Sequence, residues 1–436
     1  MLQIHQRIEL KDKRRGIIRF IGNINNKEWV GIEFDLKSSG KHDGKGYFKV
    51  HPKQSASLFK MPISYNEYFT VDDAINIKYF STVEDVQTDI GNVPLTTVGW
   101  DKVYTQIKNN LMVVSLQEMC INTLVCRNCY NKITELSLSG NLFQDLSEFP
   151  ASAFPSLTTL DISSNRFTNS ILPSLNIVEL VISNTLLLFK DIVAILKNQP
   201  RLVRLFISDN YLFDLNLDNS DALFQDIQEL DISHNHFQSL SSIFNIFPNV
   251  QRLNASHNQI SNISYSISLV DLNLNGNQFN NYDFLTFLNV KELRLLRNPM
   301  NSDDTRYFIT ALIPGVSTLN GSSISIDDRK DAEIYFLKHF TDQQNLRYLE
   351  LSQSWHFQQE SKSNLKSTLV KVIFTHGGVN SIKMISPNLK ADMIAKIAQR
   401  LFKLEYAPSL YIGDILMTEP LNVYVFEVQE LKIICK

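Results

Sequence analysis

A repeating order of apolar and polar positions runs through the chain from about residue 116 to residue 300. Each unit has apolar residues at its first, fourth and sixth positions and a polar residue, almost always asparagine, at its ninth. The units end at Asn141, Asn165, Thr185, Asn210, Asn235, Asn258, Asn277 and Asn298, at intervals of 19 to 25 residues. This period predicts a solenoid in which each unit adds one short strand and none buries its apolar face alone.

The spacing resembles that of leucine-rich repeats, so we expect an α/β leucine-rich-repeat solenoid with one continuous core. Each ninth-position asparagine is expected to bond backbone groups of the adjoining turns. Residues 191–199 predict a helix on the outer side of the solenoid. Because a stack exposes its ends, we expect an irregular first repeat at 116–129 and a closing cap at 307–340, with a helix over 327–340.

Strand residues that alternate with the buried positions are predicted to line the concave face of the solenoid. Most of them are charged, which suits a large protein partner, although each residue taken singly is equally well explained as a solvated side chain. They are Glu135, Asp161, Glu179, Glu229, Asp231, Asp271 and Glu292, with Arg204, Arg252, Arg294, Val181, Phe206 and Leu296. The candidate partner-binding residues among them are Glu179, Val181, Arg204, Phe206, Asp231 and Arg252.

The N-terminal segment has a different pattern, in which glycines, basic residues and aromatic residues alternate between residues 29 and 48. Glycines on both sides of Lys41 allow positive φ angles and close approach to a ligand, and Lys41 offers a charge for a terminal carboxylate. Aromatic residues can form the walls of an apolar slot. The candidate peptide-binding residues are Trp29, Lys41, His42, Gly44, Phe48 and Phe59. The alternative is an ordinary loop between strands of a small barrel.

Three ordered blocks carry a family resemblance: WVGIEFD at 29–35, GKHDG at 40–44 and GYF at 46–48. Together they resemble the CAP-Gly domain, a small β-barrel-like module. The resemblance implies binding of an acidic peptide that ends in an aromatic residue and a carboxylate, such as the tail of α-tubulin. His42 stands where the family usually has asparagine, and the segment after Gly44 is shorter than usual.

Charge favours the same partner. Residues 1–65 hold 13 lysines and arginines against 6 acidic residues, whereas the whole chain has a net charge of −3. A basic module on an acidic chain attracts an acidic peptide over long distances. Nucleic acid is the alternative partner for such a patch, but we find no accompanying nucleic-acid motif.

The last seventy or so residues predict a separate α+β unit. Two alternating strands precede an amphipathic helix at 389–404, and short strands follow at 409–412 and 431–435. This order resembles a ubiquitin-like domain, with other small α+β folds as alternatives. The sequence ends in Cys435 and Lys436 rather than in two glycines, so we expect a docking module and not a conjugated modifier.

Composition and motifs point away from an enzyme. A length of 436 residues predicts several domains, and neither a signal peptide nor a membrane-spanning apolar run is recognisable, so we expect a soluble cytoplasmic protein. We find no phosphate-binding loop, nucleophile elbow or zinc-protease motif. Cys126 and Cys129 have metal-like spacing without a second pair, and His234 and His257 could approach each other across neighbouring repeats. We expect no catalytic residue, no metal site and no cofactor.

The complete order of modules resembles the tubulin-specific chaperone E family, also called tubulin-folding cofactor E. Segments 98–103, 295–299 and 327–333 look similar to segments of that family. The resemblance implies α-tubulin and other tubulin-folding cofactors as partners, with proteasome components as further candidates, and a location near the cytoskeleton. The alternatives are a microtubule-binding cytoskeletal adaptor, or a repeat scaffold that recruits clients to the degradation machinery; however, no coiled-coil heptads of the kind that adaptors use are visible.

We therefore expect a multidomain chain. The predicted parts are a CAP-Gly domain at 1–66, a linker at 67–110, capped leucine-rich repeats at 111–345, a second linker at 346–366 and a ubiquitin-like domain at 367–436.

Overall fold

The computed structural model describes residues 2–52, 54–80, 110–213, 215, 224–340, 342, 345–355, 370–386, 389–412, 415–418 and 430–435. The chain forms two compact units, Met1–Asp342 and Gln343–Lys436. Within the described ranges, no helix has both the length and the apolar character needed to cross a membrane.

The first unit opens with a four-stranded antiparallel sheet in sequence order. Its strands are β1 (Arg7–Glu9), β2 (Arg15–Ile24), β3 (Lys27–Phe34) and β4 (Ser55–Lys60), with a 3-10 turn at Lys37–Ser39. Asn25 and Asn26 join β2 to β3 at φ angles of 50° and 58°, the left-handed region that a two-residue hairpin loop requires. Ile18, Ile32 and Phe34 are fully buried in the small core.

A short segment then connects this domain to the repeats. Strand β5 (Phe69–Thr70) pairs in parallel with β7 (Ile121–Thr123), and helix α1 (Val71–Tyr79) follows directly. Thr70 and Asp73 cap α1 reciprocally, each side chain bonding the backbone of the other. The stretch expected as a linker, 67–110, thus includes ordered elements in its first part, and residues 81–109 lie outside the described ranges.

The repeats form an eleven-stranded sheet that is parallel except for its last pair. In order from the N-terminal end it contains β6 (Val113–Ser115), β8 (Glu135–Ser137), β9 (Thr159–Asp161), β10 (Glu179–Val181), β11 (Arg204–Phe206), β12 (Glu229–Asp231), β13 (Arg252–Asn254), β14 (Ile267–Asn273), β15 (Leu288–Arg294), β16 (Thr318–Leu319) and β17 (Ser322–Ser323). A leucine is buried in every strand from β8 to β16, which confirms the predicted solenoid.

The asparagine ladder is also confirmed. Asn210 donates through Nδ2 to the carbonyl oxygens of Ile182 (2.9 Å) and Ile207 (3.2 Å), one repeat before and within its own repeat. Its Oδ1 accepts from the Thr185 amide at 2.8 Å. Because the side chain is 4% exposed, these bonds satisfy backbone groups that water does not reach.

Helices and short turns cover the outer side and the C-terminal end of the solenoid. They are α2 (Phe189–Leu196), α3 (Ser241–Ile246), α4 (Thr305–Leu312) and α5 (Ile326–His339), with 3-10 turns at Leu146–Glu148, Ala151–Ala153 and Asp283–Phe287. The predicted outer helix and the predicted cap helix are both present as α2 and α5. In the cap, Phe336 stacks on Phe340 with ring centroids 4.3 Å apart, and both rings face Phe308 edge-on.

The second unit begins with α6 (Leu346–Ser354), inside the stretch expected as the second linker. A five-stranded mixed sheet follows, in the order β19 (Val379–Ile385), β18 (Val370–His376), β22 (Glu430–Cys435), β20 (Leu410–Ile412) and β21 (Ile415–Leu416). Strands β18 and β22 are parallel at its centre. Helix α7 (Ala391–Phe402) packs Ile394 and Ala398 against Val372, Phe374 and Ile433, which makes this an α+β unit.

Candidate functional site

A cavity of about 350 Å³ opens on the N-terminal domain, beside β3 and β4. Its lining residues are Ile24, Trp29, Lys41, His42, Lys45, Tyr47, Ser57 and Leu58. We call this cavity the groove. It combines aromatic walls, two lysines and a histidine, which is the chemistry expected for an acidic peptide with an aromatic side chain.

The glycine-rich loop forms one side of the groove because it closes tightly on β4. The amides of Lys41 and His42 donate to the Ala56 carbonyl at 2.8 and 3.0 Å, and the Ala56 amide donates back to His42. A Cβ atom on Gly40 would lie 2.5 Å from the Ala56 nitrogen. Gly44 has a φ of +101°, in the region that favours glycine. Both glycines are therefore required for the loop to hold Lys41 and His42 at the groove.

Two polar atoms in the groove wall lack partners. Trp29 Nε1 and Ser57 Oγ are buried, and neither bonds any residue that the structure describes. A buried donor without a partner carries a cost of desolvation that a bound acceptor would remove. The ammonium groups of Lys41 and Lys45, on exposed side chains, form no ion pair within the described ranges. The groove thus offers unused donors and unpaired positive charge.

His42 is held as a neutral acceptor. The Gly44 amide donates to its Nδ1 at 3.0 Å, which places the ring proton on Nε2. Burial lowers the pKa of His42 below its usual 6.5, and the positive charge of Lys45 lowers the pKa further. The neutral ring therefore orders the loop.

The structure brings together part of the predicted peptide-binding set. Trp29, Lys41 and His42 line the groove, and Gly44 shapes the loop behind it. Phe48 lies elsewhere, packed so closely over Gly31 that a Cβ atom there would collide with its ring.

Phe59 is also absent from the groove. Its ring meets Phe34 edge-on, with centroids 6.2 Å apart, and the Arg14 guanidinium lies 5.5 Å from the Phe59 centroid. The neighbouring Ser57 and Leu58 line the groove instead.

Sequence reasoning missed several groove residues, namely Ile24, Lys45, Tyr47, Ser57 and Leu58. The adjacent aromatic pair at 47 and 48 was a usable signal, since an aromatic residue beside the glycine-rich loop is a candidate for an apolar wall. Tyr47 is the exposed member, and its ring packs against Phe20 at a centroid distance of 5.2 Å.

All six predicted partner-binding residues lie on the solenoid strands in two rows. Glu179, Arg204 and Arg252 occupy one row with Glu229, and Val181, Phe206 and Asp231 occupy the adjacent row. Glu179 and Arg204 already form an ion pair at 2.6 Å.

A cavity of about 190 Å³ lies on this face, with Phe206, Glu229 and Arg252 in its lining. Neither Glu229 nor Arg252 has an ionic partner within 4.0 Å in the described part of the chain, although Asp271 and Arg294 nearby bond each other at 3.1 Å. Charge in the middle of the concave face is therefore available to a partner.

The remaining candidate chemistry is structural. Cys126 Sγ lies 3.4 Å from Asp72 Oδ1, and burial and the negative charge of Asp72 raise the pKa of the Cys126 thiol to about 12. The His234 and His257 rings stack at 4.4 Å, so they approach each other as the sequence suggested. Over the described ranges, histidine, cysteine and acidic residues form no group of three that could hold a metal ion.

Comparisons with known proteins agree with this architecture. The CAP-Gly domain model matches residues 4–62, and the Leucine Rich Repeat model matches residues 156–177. Among solved structures, that of human trophoblast glycoprotein is similar over 43% of this chain and 77% of that chain, at 20% identity and a TM-score of 0.31, which is too low to support an argument.

Several relatives align over most of the chain. Tubulin-specific chaperone E of Bos taurus is 28% identical over 391 residues, covering 77% of this chain and 72% of the relative. Tubulin-folding cofactor E of Arabidopsis thaliana is 26% identical and covers 77% and 73%. Protein PAC2 of Saccharomyces cerevisiae is 28% identical and covers 73% and 70%. The chain is therefore a homologue of the tubulin-specific chaperone E proteins, with a CAP-Gly domain followed by leucine-rich repeats.

Proposed function

We propose that this chain is a tubulin-folding cofactor that binds α-tubulin and assists assembly or dissociation of the α/β-tubulin heterodimer. The names of its relatives support this role. The observation that carries the proposal is the groove, in which unpaired lysines lie beside buried donors without partners. An acidic tail ending in an aromatic residue supplies both the negative charge and the acceptors that this groove lacks.

The concave repeat face is the proposed second contact, with the body of α-tubulin. Its support is the unpaired charge of Glu229 and Arg252 beside the half-buried Phe206. Charged and aromatic side chains at the centre of a concave surface are typical of protein interfaces. Two weak sites on one chain raise the effective concentration of the second contact once the first has formed.

We further propose that the second unit is a ubiquitin-like docking module. Its support is the mixed sheet with β18 and β22 parallel at the centre and α7 packed against one face. Such a module would recruit another tubulin-folding cofactor, and proteasome components are the second candidate partner. The proposed role needs no catalytic residue, and we place it in the cytoplasm with the cytoskeleton.

Sedimentation with tubulin separates the cofactor from a microtubule adaptor. The purified chain is mixed either with soluble heterodimer or with stabilised microtubules and then centrifuged. We expect the chain to remain in the supernatant in complex with soluble tubulin, and to pellet only weakly with polymer. Strong pelleting with polymer and no complex with soluble heterodimer would contradict the proposal and favour the adaptor.

A further inference from the structure

A buried cluster of three charges joins the CAP-Gly domain to the repeats. Arg7 on β1 binds Asp35 through two parallel hydrogen bonds of 2.8 and 2.7 Å. Arg166 approaches the same carboxylate from the second repeat, with its Nε 3.8 Å from Asp35 Oδ1. The side chains of Arg7, Asp35 and Arg166 are 1%, 13% and 7% exposed. One carboxylate thus holds an arginine from each domain, out of contact with most of the solvent.

Arg166 is itself fixed to the repeats. Its Nη1 donates to the carbonyl oxygens of Asn165 at 2.9 Å and Asn184 at 2.6 Å, in its own repeat and the next. Burial of a charge is unfavourable unless the charge is paired, so Arg166 has a strong preference for remaining beside Asp35.

Further contacts surround the cluster on the side of the first repeat. Arg15 donates to the Gly140 carbonyl and to Glu118 Oε1, the latter at 2.5 Å. Cys120 Sγ donates to the buried carboxylate of Glu9 at 3.3 Å. Together with the pairing of β5 and β7, these contacts fix the CAP-Gly domain on the end of the solenoid rather than leaving it on a tether.

We propose that Asp35 is a positioning residue that holds the groove at one distance and direction from the repeat surface. This inference rests on the proposed function, in which the groove and the repeats bind one partner. That partner is a folded protein whose flexible acidic C-terminal tail must reach the groove from the body that the repeats hold. A fixed groove keeps the effective concentration of the tail high, because the tail searches for one site at one place.

The test compares two binding measurements in two variants. We call the cluster of Arg7, Asp35 and Arg166 the junction. Asp35→Ala removes its shared carboxylate from the CAP-Gly side. Arg166→Met weakens it from the repeat side while retaining an apolar side chain. The matched control is Glu28→Ala, because Glu28 is an exposed acidic residue of the same domain that lines neither the groove nor the cavity beside Asp35 and Arg166. Each protein is titrated with an acidic peptide ending in tyrosine, and with soluble tubulin bearing or lacking its acidic tails.

We expect the peptide affinity to remain within about twofold in every variant, since the groove itself is unchanged. The tail of tubulin should increase its affinity for the unmodified chain, and this gain should fall at least tenfold in Asp35→Ala and Arg166→Met but not in Glu28→Ala. An unchanged tail contribution in both junction variants would overturn the inference. If the unmodified chain binds neither peptide nor tubulin, the proposed function fails. The positioning role is then tested only by the distance between the CAP-Gly domain and the repeats.

That second readout uses spin labels at Lys27→Cys on the domain and Gln238→Cys on the repeats, in a Cys129→Ser background. Both positions are exposed and lie outside the junction. A narrow distance distribution that broadens in Asp35→Ala supports the positioning role. A broad distribution in the unmodified junction would contradict it, whatever the chain binds.

Discussion

Lys41 and Trp29 offer one ligand two different kinds of recognition at the residue scale. The exposed Lys41 ammonium attracts a carboxylate, and its contribution weakens as salt increases. Trp29 contributes an apolar surface and a buried indole N–H that has no partner among the described residues. Under the proposed function, charge brings an acidic peptide to the groove, and the indole selects a ligand that places an acceptor next to an apolar group.

The stability of the glycine-rich loop depends on pH through His42. Its folded-state pKa lies below the usual 6.5, so the neutral ring stabilises the loop. This stabilisation is fully present above about pH 6.5 and is lost as the pH falls through the folded pKa, because a proton on Nδ1 ends the bond from Gly44.

The matched variant is His42→Asn, because an asparagine side-chain oxygen accepts the same bond at any pH in this range. We expect urea unfolding to show that the unmodified protein loses stability relative to His42→Asn between about pH 7 and pH 5. A constant difference across that range would show that His42 has the same pKa in the folded loop as in the unfolded chain.

At the element scale, α1 acts as part of the end of the solenoid. Asp72 in its first turn accepts from the Arg127 amide at 2.5 Å, from Asn128 Nδ2 at 3.0 Å and from Tyr130 Oη at 3.1 Å. Burial alone would raise the pKa of Asp72, but these hydrogen bonds outweigh it and lower the pKa. The carboxylate thus organises the irregular first repeat around the helix.

We expect Asp72→Asn to destabilise the first unit by about 1–3 kcal/mol, because an amide cannot accept every one of these bonds. Thermal unfolding measures the change. The control is Asp327→Asn, since the Asp327 side chain is 89% exposed and lies at the start of α5. The contribution of Asp72 is present above its ordinary pKa of 3.8 and disappears as the pH falls below it. Equal melting temperatures for the two variants would rule out this role.

The repeats were predictable from sequence because each copy carries its own pattern. Leu205 and Leu230 occupy equivalent positions, so the register of β11 and β12 follows from the spacing alone. The groove was predictable only in part. The sequence does not show whether Leu58 or Phe59 of β4 faces the groove. The strand is short and both positions are apolar, so alternation alone leaves the choice open.

The junction was not predictable, since its contacts join residues far apart in the chain. Asp35 and Arg166 are both charged residues in loops, and neither sequence position indicates burial. Their partnership depends on how two domains dock, and no local pattern reports that arrangement. For the same reason, the sequence does not predict the pairing of β5 with β7.

At the scale of the whole molecule, two surfaces of opposite charge belong to the same compact unit. The CAP-Gly domain is basic, whereas acidic residues outnumber arginines on the concave strands. A partner that binds both surfaces must present an acidic tail to the CAP-Gly domain. To the repeats it must present a surface that tolerates or requires acidic neighbours. Electrostatic complementarity of this kind favours specificity and fast association more than raw affinity.

The central claim is that the groove binds the tail of α-tubulin while the rest of the chain holds its body. The most direct measurement is the affinity of the intact chain for soluble heterodimer before and after removal of the C-terminal aromatic residue of α-tubulin. Lys41→Met serves as the groove variant and Lys11→Met, at an exposed position outside the groove, as its control. We predict that removal of the aromatic residue lowers the affinity of the unmodified chain about tenfold, or roughly 1.4 kcal/mol. The same removal should change the affinity of Lys41→Met only a little. Equal affinity for the two forms of tubulin would contradict the account.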